Sequence, residues 1–166
     1  MKDHQQMVLD GKKSVRKSFS IMLNCAETSL LAVADALELD IHPEMVYLSS
    51  ALGGGWGERS EVTGGNCGLL AGTSMAIGLL FWRKKVGEGF DFEGLDDRNE
   101  LIKLSNLWFE QFIMEAGAAS CPDIVGSLSY LGEEHRRKCW YLGQHTIELF
   151  LSFLMDKDLI GEFVVA

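Results

Sequence analysis

Residues 63–82 read "TGGNCGLLAGTSMAIGLLFW". Glycines, an asparagine and a cysteine open onto an apolar run, residues 68–82, that contains no proline and only two polar side chains, Thr73 and Ser74. The run falls short of the ~18–20 residues a membrane span requires, so it reads as a buried core helix. The same opening occurs at residues 23–33, "LNCAETSLLAV". There Leu30, Val33, Ala34 and Leu37 follow helical spacing. In both places the asparagine, Asn24 or Asn66, is expected to cap the helix and the cysteine to fall in its first turn. A helix start offers unpaired N–H groups and a partial positive charge, which favour thiolate over thiol.

The rest of the chain is helical in the same way. A short basic helix is expected at residues 12–22, a helix from Pro43 to about 52, a long one from about Asp97 to Ala116 ended by Gly117, a turn of helix at Pro122, and a last helix from Glu133 to Asp156. Asp97 followed by Glu100 has the form of a capping box. Strand alternation is absent. The fold expected is therefore all-α, a compact bundle of about five to six helices with a Gly-rich loop, residues 53–65, before the second cysteine helix. The 166 residues suit a single domain, 1–166, with residues 1–11 open to disorder and 157–166 as a tail.

Composition narrows the function. The net charge of −9 argues against nucleic acid as the main partner. The first 20 residues hold no apolar segment of a signal peptide, so a soluble, cytoplasmic protein without membrane insertion is expected. In a reducing compartment cysteines serve as thiols, metal ligands or redox groups. The four are Cys25, Cys67, Cys121 and Cys139, spaced by 42, 54 and 18 residues, with no CxxC. Cys25, Cys67 and Cys121 sit at expected helix starts; Cys139 lies within a helix, after "HRRK" at 135–138. Two small-residue stripes, Cys25, Ser29, Ala32, Ala36 and Cys67, Ala71, Ser74, Gly78, would let these helices pack closely. Packed parallel, they bring both sulfurs to one end. The plain alternative is ordinary core packing of small side chains and thiols.

"NCAETSLLAVADALELD", "ALGGGWG", "CGLLAG" with "AIGLL", and then Cys121 and Cys139 together resemble the C-GCAxxG-C-C family of four-cysteine proteins. The likeness spans about residues 20–145, with Leu69 where the motif has alanine. The resemblance implies a redox or metal role for the four cysteines. A related domain in split-Soret cytochromes carries c-type haem and an iron–sulfur centre near such cysteines; this chain has no CxxCH, so no haem is implied.

Three functions follow as alternatives. The first is an iron–sulfur cluster held by Cys25, Cys67, Cys121 and Cys139, for electron transfer or redox sensing with an unidentified redox partner. The second is a structural zinc site with the same ligands. The third is a metal-free thiol–disulfide protein. No substrate pocket is legible, and enzyme status stays open. His135, four residues before Cys139, is positioned to share a metal, against the simpler reading of a solvated histidine. His145 is expected in the core. "GGGWGERS" lacks the Lys-Ser/Thr ending of a phosphate loop and makes Trp56 a lid or core residue; the acids of 88–97 read as a solvated loop. The apolar tail "LIGEFVVA" leads to the expectation of a homodimer.

Overall fold

A computed structural model of the chain describes residues 2–55, 65–82, 95–129 and 132–160. Expectations about Trp56, most of the Gly-rich loop, the acidic loop, the Asp97 side chain and the end of the tail lie outside the described residues.

Among the described residues seven α-helices follow in order: α1 (His4–Ser20), α2 (Cys25–Leu37), α3 (Pro43–Ser49), α4 (Gly68–Trp82), α5 (Leu95–Ala116), α6 (Cys121–Val125) and α7 (Glu133–Asp156). A 3₁₀ turn at Ser50–Gly55 follows α3. Among the described residues the fold is all-α, with one isolated antiparallel bridge between Asn66 and Ser120. None of these helices is long and apolar enough to cross a membrane.

Helix α1 starts at His4, well before the expected residue 12, because Asp3 accepts from the N–H of Gln6 at 2.7 Å and because Met7, Val8, Gly11, Ser14, Val15 and Ser18 bury one face. It lies between α2 and α7. Gly11 is the contact point: a Cβ there would stand 2.5 Å from Ile147 on α7 and 3.5 Å from Ala36 on α2. The Ser14 hydroxyl donates to Asp35 of α2 at 2.6 Å, and Lys12 pairs with Glu148 of α7 at 2.6 Å.

Helix α4 packs on α2, as its glycines require. A Cβ on Gly68 would meet Cys25 Cβ at 2.9 Å and Ala26 N at 3.0 Å; one on Gly72 would collide with Ser29 Oγ and the Ala26 carbonyl. The contact therefore runs Cys25 to Gly68 and Ser29 to Gly72, with both helices pointing the same way. The stripe expected on α4 shifts by one residue: Gly78 has open space around its missing Cβ. The α2 stripe divides, Ser29 facing α4 and Ala32 and Ala36 facing Gly11 of α1.

The far end is closed by aromatic side chains. Trp108 of α5 is fully buried against Phe150 and Phe153 of α7, with ring centroids 4.8 and 5.5 Å away. Its indole N–H donates to Thr73 of α4 at 2.9 Å, which fastens α5 to α4 inside the core. Gly117, at φ 83°, ends α5 as expected.

Candidate functional site

Asn24 caps α2. Its side-chain oxygen accepts from Ala26 N at 2.9 Å and Glu27 N at 3.0 Å, while the Glu27 carboxylate accepts from Asn24 N at 2.8 Å. That reciprocal pair sets the first turn of α2 and with it Cys25. The Asn24 amide also donates to the Ser50 carbonyl at 2.9 Å, so the 3₁₀ turn is tied to the same helix start.

Asn66 has a different task from the expected cap. It lies in the bridge to Ser120, where Cys67 N donates to the Ala119 carbonyl at 2.7 Å and Cys121 N donates to the Gly65 carbonyl at 3.0 Å. The bridge sets Cys67 and Cys121 side by side. The cap of α4 is Cys67 itself. The N–H groups of Leu69 and Leu70 donate to its sulfur, the positions an N-cap oxygen would serve. Ser120 caps α6, accepting from Asp123 N at 3.2 Å, which leaves Cys121 as the first helical residue. Cys139 comes from within α7, after Lys138, whose ammonium donates to the Ile124 carbonyl and joins α7 to α6.

The outcome is convergence. Cys25, Cys67, Cys121 and Cys139 all line one cavity of about 130 Å³. Cys67 and Cys139 are buried, Cys25 and Cys121 half-buried, and all four stand as thiols rather than disulfides. The rest of the wall is mainly apolar, including Phe19, Leu23, Ile124 and Leu142. Among the described residues no three Cys, His, Asp or Glu side chains gather as the ligands of one metal ion do. The thiols surround a space.

The expectation that helix starts make thiolates fails at two cysteines. Burial pushes the Cys67 thiol up to about 12, although the Leu69 and Leu70 N–H groups pull the other way. Cys25 is held well above the usual thiol value, chiefly by donating a hydrogen bond to the Cys139 sulfur and also by burial. Cys139 is the exception and is shifted down, first by that hydrogen bond and then by the Lys138 charge, against the cost of burial. Two helix-end donors do not outweigh the desolvation of a charge in an apolar wall.

The histidines exchange their expected places. His135, read from its charged neighbours as solvated, is buried and lines the cavity. His145, read as core, is half exposed and pairs with Glu115 of α5 at 3.3 Å. Helical phase relative to Cys139 was the available signal, since His135 precedes it by one turn. Leu69, the departure from the motif's alanine, is fully buried toward α7, where the absent side chain of Gly143 leaves room; a Cβ there would lie 3.4 Å from the Leu69 methyl.

The fold and site thus define a helical domain whose four cysteines, from four helix segments, converge on one cavity. A family model described as "Putative redox-active protein (C_GCAxxG_C_C)" matches residues 23–152, and the chain belongs to that family. It is also similar to an uncharacterized protein of Archaeoglobus fulgidus, 26% identical over 153 residues that cover 89% of this chain and 97% of the relative. No solved structure matches it.

Proposed function

We propose that the protein is an electron carrier or redox sensor whose four cysteines hold an iron–sulfur cluster. The observation that carries this reading is the placement of Cys25, Cys67, Cys121 and Cys139 around one apolar cavity of about 130 Å³. Clusters take four thiolates spread around several irons, whereas a single zinc draws its ligands onto one point. Four thiols on one cavity match the donor set of either group, and the spectrum and metal content of the purified protein separate the two. When bound, the cluster would supply one-electron chemistry. The chain contributes N–H donors to the Cys67 sulfur, the Lys138 charge beside Cys139, and apolar walls that limit water. Anaerobic protein supplied with iron and sulfide is expected to be brown and to bleach with dithionite, and each Cys→Ser variant to lose cluster. Colourless protein with stoichiometric zinc would overturn the reading.

A second reading rests on the Cys25–Cys139 hydrogen bond. A thiol donating to a lowered-pKa partner is poised for disulfide chemistry. Forming the Cys25–Cys139 bond releases two electrons and, from one thiol and one thiolate, one proton. Mass spectrometry of diamide-treated, metal-free protein tests it: this pairing supports the reading, and its absence removes it. Self-association belongs to the proposal as well, supported by the exposed Tyr47, Leu48 and Met114; light scattering at micromolar concentration checks it.

A further inference from the structure

Beside the cysteine cavity lies a second concavity, a groove of about 450 Å³ between the C-terminal half of α1 and the start of α7. Two of its residues, Phe19 and Arg136, also line the cysteine cavity, so the two spaces share a wall. The groove's chemistry differs from the rest of the molecule. The chain carries −9, yet this groove holds three arginines, Arg16, Arg136 and Arg137, against one acid, Glu133. The α1 stretch that borders it, "GKKSVRKSFS" at 11–20, contains no acid at all. Beside Ser20 its other residues are aromatic: Phe19, the half-buried Trp140 and the exposed Tyr141, the last two in edge-to-face contact with ring centroids 4.6 Å apart. Arg16 is held across the groove by donating to the Gln144 amide oxygen of α7 at 3.1 Å.

We infer that this groove is a binding site for a flat heteroaromatic compound carrying a phosphate, a ligand of the mononucleotide class. Guanidinium groups are matched to phosphate by their fork of donors, and they keep their charge at every physiological pH. Indole and phenol rings offer faces for a planar ring, and arginine stacks on such rings as well. A volume of about 450 Å³ falls within the ~300–1,000 Å³ of small-molecule sites. Position adds a role. A ring resting against Phe19 would lie one side chain from the four cysteines, where a redox-active compound can exchange electrons with them. The site goes beyond the redox centre and does not depend on which group the cysteines hold.

The test uses the purified full chain, first metal-free and then reconstituted, with flavin mononucleotide and riboflavin as probes, because the two differ only by the phosphate. Stacking on Trp140 is expected to quench flavin fluorescence, with a Kd of about 1–100 µM for the mononucleotide and roughly tenfold or more weaker binding of riboflavin. Arg136→Gln and Arg137→Gln, both exposed positions that leave the core intact, are each expected to weaken mononucleotide binding about tenfold while riboflavin is little changed; Trp140→Leu should remove the quenching. Inorganic phosphate should compete, in keeping with the arginine pocket. Equal affinity for both probes, no saturable quenching by the mononucleotide, or affinity unchanged in both arginine variants overturns the inference. These outcomes are read in metal-free protein, so they separate from the brown colour and dithionite bleaching that test the cluster.

Discussion

Cys67 carries several tasks in one side chain. Its sulfur caps α4, its backbone N–H ties it to Ala119 beside Cys121, and its thiol faces the cavity. The order of reactivity follows from the environments. In metal-free, reduced protein at neutral pH, Cys139 should be alkylated by iodoacetamide ahead of Cys25 and Cys67; digestion and mass spectrometry read the order. The glycines make a second residue-level contrast. Gly72→Ala drives a methyl into Ser29 and the Ala26 carbonyl and should cost about 1–3 kcal/mol or more. Gly78→Ala meets open space within the same helix and should stabilise by roughly 0.5–1 kcal/mol. Urea denaturation of the two variants decides whether the α2–α4 contact runs through Gly72.

Individual helices show which signals a sequence can hold. The Asn24 cap, the long α7 and the end of α5 at Gly117 were all legible, because caps, period and glycine termination are local. The beginning of α1 was missed because its polar composition concealed a stripe of buried Met7, Gly11 and Val15. Asn66 was read as a cap because it precedes a cysteine as Asn24 does, while the true acceptor is the cysteine sulfur. The order of the four cysteines was legible as well; the rise of two thiol pKa values was not, since burial emerges only when four helices meet. The prediction at this scale compares the two asparagines. Asn24→Ala should lose about 1–2 kcal/mol, with α2 fraying at Cys25, because three hydrogen bonds depend on its side chain. Asn66→Ala should cost far less, because the bridge to Ser120 uses backbone groups. Thermal unfolding of both variants checks the difference.

At the scale of the whole molecule, the buried thiols make stability depend on pH. For Cys67 the folded pKa, about 12, exceeds the ordinary thiol value of 9.0. Between those values the folded state retains a proton that the unfolded chain has lost. The stability that Cys67 contributes to the metal-free protein should therefore be full below about pH 9 and fall steadily as pH rises toward 12, with Cys25 acting in the same direction and Cys139, shifted down, acting in the opposite one at lower pH. Guanidinium midpoints at pH 7, 9 and 10.5 measure the slope; a Cys67→Ala variant should show a shallower one, even if its absolute stability is lower.

The bridge between Asn66 and Ser120 and the thiol brought by α7 have a consequence for biosynthesis. The four sulfurs are drawn from positions 25, 67, 121 and 139, so a ribosome must release the chain through α7 before the last one can arrive. Nascent chains stalled short of α7 would display three thiols on an open surface, prey to stray metals and oxidants. Synthesis through α7 thus gates the four-thiol site, and on the proposed reading a cluster supplied only after that point would avoid charging fragments.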